Sequence, residues 1–130
     1  MPNVGLVGWE CMAAGRRARR DAGPSVPELE QYAFVLLRRP EHAPELTEAE
    51  GDALQQAHLD YLQSLRDQGV LTASGPFDDQ PDESWRGLCL LRATPEQARE
   101  LLAADPLVRR GRLEPVVLTW QARKGDIASG

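Results

Sequence analysis

His58 and Asp105 are the two residues whose types and surroundings point most directly to chemistry. In the segment Leu54-Gln-Gln-Ala-His58-Leu-Asp-Tyr61-Leu62-Gln-Ser-Leu65, helical spacing aligns His58 with Leu54, Tyr61, Leu62 and Leu65 on the apolar face. An imidazole is thereby aimed inward. Farther along, Ala103-Ala104-Asp105-Pro106 sets a carboxylate at a break between two helical stretches, because the residue before a proline is driven out of the helical region. A histidine held by a carboxylate takes and returns a proton near neutral pH. Each residue also has a plainer use: His58 as a core histidine satisfied by backbone or by Tyr61, and Asp105 as a helix N-cap worth about 1 kcal/mol. The two uses of Asp105 coexist in part, since one oxygen spent on an amide leaves the other for an imidazole N–H.

The elements that would position this pair follow from periodicity and caps. Tyr32-Ala-Phe-Val-Leu-Leu37 is an apolar run of strand length, closed by Arg38-Arg39-Pro40. Thr47-Glu-Ala-Glu50 forms a capping box and opens a helix that Gly69 ends. Val70 to Phe77 predicts a second strand, Asp78 to Ser84 a polar turn, and Trp85 to Leu91 a third strand antiparallel to the second. Thr94-Pro95-Glu96-Gln97 supplies an N-cap, a proline at the first helical position and a glutamine to complete the box, so a second helix runs from here to about Ala104. A short turn capped by Asp105 ends at Gly111, Leu113 to Trp120 gives a fourth strand, and the polar tail from Gln121 is expected to fray.

The order strand, helix, strand, strand, helix, strand is the split βαβ arrangement of ferredoxin-like α+β folds, with a four-stranded antiparallel sheet. Its two helices cover one sheet face. Strand one is nevertheless apolar on both alternating sets, Tyr32, Phe34, Leu36 and Ala33, Val35, Leu37, so the second face also needs a cover. The simplest cover is another copy about a two-fold axis, which predicts a homodimer. Residues 1–30 hold Gly, Pro, Ala and Arg without periodicity and are read as a flexible extension, 31–122 as the domain and 123–130 as a C-terminal tail.

Composition narrows the function classes. A chain of 130 residues is enough for one domain with a core and too short for two. Cys11 and Cys89 lie far apart without partners at disulfide or metal spacing, pointing to a reducing compartment, the cytoplasm. No secretory pattern opens the chain, and no apolar run approaches the ~20 residues that cross a bilayer. The net charge is −5, and residues 1–30 carry four arginines against four acids, leaving the whole deficit on residues 31–130. That balance argues against a nucleic-acid partner. His42, in an exposed loop, and His58 lack clustered acids, so no metal site is expected, and no cofactor motif is present.

Four stretches in order, His58-Leu59 with helical Tyr61-Leu62, then Gly69-Val-Leu-Thr-Ala-Ser74-Gly75-Pro76, then Ala104-Asp105-Pro106, then the strand Leu113 to Trp120, carry a family likeness. From Tyr32 to about Trp120 the chain resembles the YciI-like (YCII-related) family, whose members are dimeric α+β barrels. The resemblance implies a site built on a paired histidine and aspartate, here His58 and Asp105, with Ser74 and Gly75 in the same pocket. It also implies proton transfer on small cyclic substrates, such as dehydrochlorination of a hydroxylated ring. Leu107 stands where members commonly have phenylalanine, which alters the pocket wall, and residues 1–30 lie outside the family domain.

The expectation is therefore a cofactor-independent lyase or isomerase, in which the His58-Asp105 dyad drives elimination or isomerisation of a small cyclic or phenolic substrate. Ser74, Gly75, Arg38, Phe34 and Tyr61 are the substrate-binding candidates. Ser74 is read as a polar wall, Arg38 either as a partner for an anionic substrate or as a surface residue, and Phe34 as core, interface or pocket lining. The alternative is a non-catalytic dimer that binds a small metabolite. A further possibility is a haem-handling barrel with His58 on the iron.

Overall fold

The computed structural model describes residues 27–128, so nearly all of the expected N-terminal extension lies outside the described residues. Seven elements follow in order: β1 Leu29–Arg38, α1 Glu48–Asp67, β2 Leu71–Pro76, β3 Trp85–Leu91, α2 Pro95–Ala103, α3 Pro106–Arg109 and β4 Glu114–Arg123. The sheet order is β2-β3-β1-β4, and every neighbouring pair is antiparallel. This is the expected ferredoxin-like α+β arrangement. The sheet is open, with β2 and β4 as its edges.

Local chemistry explains where α1 starts and stops. The Glu50 amide donates to Thr47 Oγ1 at 3.1 Å and the Thr47 amide donates to Glu50 Oε1 at 2.9 Å, which satisfies two amides that the first helical turn leaves free. At the other end Gly69 adopts φ +80°, a left-handed conformation that costs glycine little. There the Gly69 amide donates to the Arg66 carbonyl at 3.0 Å and the Val70 amide to the Leu65 carbonyl at 3.0 Å, closing the helix and turning the chain into β2. Between the caps, His58, Leu62 and Leu65 form the buried stripe. Helix α2 opens on the same device, with Thr94 and Gln97 exchanging hydrogen bonds.

The main core lies between the helices and one face of the sheet. Ala33, Val35 and Leu37 of β1, with Cys89 and Leu91 of β3 and Leu71 of β2, meet Leu62, Leu65, Ala98, Leu102 and Leu107. On the opposite face Tyr32, Leu90 and Ala122 are buried, with Phe34 and Ile127 packed on them. Val116, Leu118 and Trp120 on that face are 37%, 53% and 41% exposed, so the face is covered at one end only.

Strands β1 and β4 extend past the ends that the sequence suggested for them. Strand β1 begins at Leu29 because β4 continues to Arg123, and Leu29 pairs with Arg123. The tail expected to fray from Gln121 is instead held: Ala122 is buried, and Arg92 donates to the carbonyls of Ile127 and Ala128 at 3.3 and 2.9 Å. Backbone pairing and a buried apolar side chain outweigh the polar composition that suggested fraying. Among the described residues no helix is long and apolar enough to cross a membrane.

Candidate active site

Asp105 ends up buried because two elements meet at it. It is the N-cap of α3, where Pro106 occupies the first turn and needs no amide partner, and its Oδ2 accepts from the amides of Leu107 and Val108 at 3.0 and 3.2 Å. Its Oδ1 lies 2.6 Å from Nδ1 of His58, which projects from the apolar stripe of α1. Asp105 is 1% and His58 8% exposed. A buried carboxylate is costly unless its lone pairs are used, and here three donors satisfy it. The carboxylate offers only acceptors, so the neutral ring carries its proton on Nδ1 and keeps a lone pair on Nε2.

His58 lines a cavity of about 500 Å³ between α1 and the β2–β3 end of the sheet. Leu59, Leu62, Leu107 and Leu113 make its apolar wall, while Ser74, Gln55, Gln63 and the arginines Arg39, Arg66 and Arg86 bring polar groups to it. Gly75 and Gly87 lie on its strand side, and a Cβ on Gly87 would meet the Gly75 carbonyl oxygen at 2.8 Å. Glycine at 87 is thus what lets β2 and β3 pair closely along the wall. Cys89 also lines the cavity, and burial, reinforced by the charge of Asp105, pushes its thiol up to about 12, so it stays protonated at neutral pH.

The sequence-derived candidates separate spatially. His58, Asp105, Ser74 and Gly75 gather at one place, with Asp105 behind His58 and the other three on the cavity wall. Ser74 Oγ accepts from Arg66 Nη2 at 2.9 Å, which makes it a positioned polar group. Tyr61 lies beside the dyad without lining the cavity: its hydroxyl donates to the Leu101 carbonyl at 2.6 Å and braces α1 against α2. Burial, then the charge of Asp105, raises the Tyr61 phenol and keeps it a donor. Phe34 is on the other sheet face, edge-on to Trp120 at 6.5 Å. Arg38 is held by Glu114 at 2.8 Å and does not line the cavity.

Arg39, Arg66 and Arg86 were missed by the sequence reading. Alternation carries the signal for the first: if Ala33, Val35 and Leu37 face the helices, so does Arg39. Helical spacing carries it for the second, since His58, Leu62 and Arg66 are four residues apart. Arg86 has no such signature. Among the described residues no three His, Cys, Asp or Glu side chains converge as metal ligands.

Among curated proteins, no sequence matches the chain. In structure it is similar to the 5-chloro-2-hydroxyhydroquinone dehydrochlorinase of Burkholderia phenoliruptrix AC1100, solved in complex with 2,5-dihydroxybenzoquinone, at 18% identity and a TM-score of 0.48, covering 70% of this chain and 93% of that one. The YCII-related domain matches residues 31–121, which hold the whole sheet except its outermost residues, both long helices and the His58-Asp105 pair, and the chain belongs to that family.

Proposed function

We propose that the protein is an enzyme acting on a small molecule, with His58 as general base and acid and Asp105 as the group that orients it. The observation that carries this is the 2.6 Å contact between His58 Nδ1 and Asp105 Oδ1 in the wall of a cavity of substrate size. Nε2 takes a proton from an acidic carbon or hydroxyl of the substrate. Asp105 stabilises the imidazolium so formed. In an elimination the electron pair left by the proton becomes the new double bond and the leaving group, such as chloride, departs with its own pair. In an isomerisation Nε2 returns the proton to a different atom.

A base of this kind contributes ~10²- to 10⁴-fold, enough for protons already acidified by a carbonyl or an aromatic hydroxyl. The test is solvent deuterium exchange and halide release with chlorinated hydroquinones and cyclic keto compounds. His58→Gln is expected to lose ~10²-fold or more while keeping the fold. Exchange in that variant at the wild-type rate would sink the assignment, and saturable binding without turnover in the wild type would leave a metabolite-binding protein.

We also place a second copy of the chain on the half-covered sheet face. Leu118, Trp120 and Val116 support this, because an exposed apolar face of this kind usually marks an interface. The buried free thiol of Cys89 favours a cytoplasmic location.

A further inference from the structure

The cavity is cationic in an acidic chain. Three arginines line it, no aspartate or glutamate does, and the chain as a whole carries −5. Among the described residues none of the three pairs with a carboxylate; the arginine ion pairs, Arg38 with Glu114 and Arg110 with Glu50, form elsewhere. Arg66 donates to Gln63 and Ser74, and Arg86 to the Glu83 carbonyl. Arg39 differs from both: its Nε is buried with no hydrogen-bond partner.

A buried guanidinium N–H without an acceptor is unfavourable, and because Arg39 Nε is shielded where it stands, it gains an acceptor when the side chain turns toward the space it lines and meets a bound anion there. The surroundings add to the cost. Burial, then the charges of Arg112 and Arg86, push the Arg39 guanidinium below its ordinary value, although it stays protonated at neutral pH. Cations gathered with no carboxylate in direct contact are relieved by an anion, and the planar guanidinium fork matches a carboxylate.

We propose that the substrate is an anion whose carboxylate binds Arg39, with Arg86 beside it, while its reacting atom faces His58. Arg39 is then the specificity-determining residue of the cavity, an assignment that rests on the acid/base role given to His58. The leucines of the wall take the apolar body of the molecule. A small aryl or cyclic carboxylate satisfies both surfaces.

Calorimetric titration of the full chain at low ionic strength, with benzoate and its neutral amide benzamide, tests this without turnover. Wild-type protein is expected to prefer benzoate by roughly ten- to a hundredfold. Arg39→Gln should abolish that preference, and Arg39→Lys, which keeps the charge, should restore part of it. Arg86→Gln, at an exposed position where folding is not at stake, should reduce it. Arg38→Gln, outside the cavity, should leave it unchanged. Equal affinity for the two probes, no saturable benzoate binding up to about 50 mM, or an unaltered preference in Arg39→Gln would each overturn the proposal. Because His58→Gln should keep the preference, anion selectivity without proton exchange would sink the acid/base role alone. Exchange without selectivity would sink only the anion proposal.

Discussion

Asp105 uses its two oxygens for two jobs, and different substitutions separate them. Asp105→Ala leaves the Leu107 and Val108 amides without their cap and His58 Nδ1 without an acceptor, and is expected to cost about 2–4 kcal/mol in urea denaturation. Asp105→Asn keeps an oxygen for the cap but turns an NH2 toward the ring, forcing the Nδ1 lone pair inward and the proton onto Nε2. It should retain most of the stability and lose the base, visible as a reversed tautomer in the ring 15N spectrum. A ring unchanged in Asp105→Asn would remove the orienting role. Cys89 gives a pH prediction at the same scale. Its thiol is raised from 9.0 to about 12, so through that interval the unfolded chain releases a proton that the folded chain keeps, and stability falls as pH rises. For one group the slope approaches about 1.4 kcal/mol per pH unit. Denaturation curves from about pH 8 to 10.5 should show it, and Cys89→Ala should reduce the slope, leaving at the alkaline end the part that the raised Tyr61 phenol contributes with the same sign.

At the scale of elements, the close pairing of β2 and β3 shapes the wall of the cavity. A Cβ at Gly87 would lie 2.8 Å from a backbone oxygen, so Gly87→Ala must move one strand, with an expected cost of about 1–3 kcal/mol and weakened ligand binding. Gly75 faces open space, with nothing within 4 Å of a built Cβ, and Gly75→Ala should be tolerated within about 0.5 kcal/mol. Comparable losses in both variants would show that the strand contact does not control the wall. Arg38 and Arg39 part company where β1 ends: Arg38 pairs with Glu114 of β4, and Arg39 lines the cavity.

For the whole molecule, the two faces of the sheet make different demands. The helices finish one face, where Ala33 and Val35 are fully buried, and leave Leu118 half exposed on the other. A second copy packed there would bury Val116, Leu118 and Trp120, each large apolar group contributing ~1.5–3 kcal/mol if fully covered. Sedimentation should give a dimer at micromolar concentration, and Leu118→Asp a folded monomer. A monomeric wild type would show that the face stays in solvent.

The elements and their order were legible in the chain, because their signals are local. Thr47 with Glu50 and Thr94 with Gln97 announce two helices, and the unbroken apolar run from Tyr32 to Leu37 announces a buried strand. His58 was legible as an imidazole on an apolar stripe and Asp105 as a carboxylate before proline, while their pairing came from family resemblance, since no local signal joins residues 47 apart. The folded chain shows what no local pattern did: both oxygens of Asp105 are in use, Arg39 rather than Arg38 lines the cavity, and Arg86 joins it from another strand. The strand ends were also decided there, as Leu29 and Arg123 extend the sheet by pairing with each other. The physical reason is common to these cases: caps and periodicity act over a few residues, whereas partners for buried charge and for edge backbone are fixed by which elements the fold brings together.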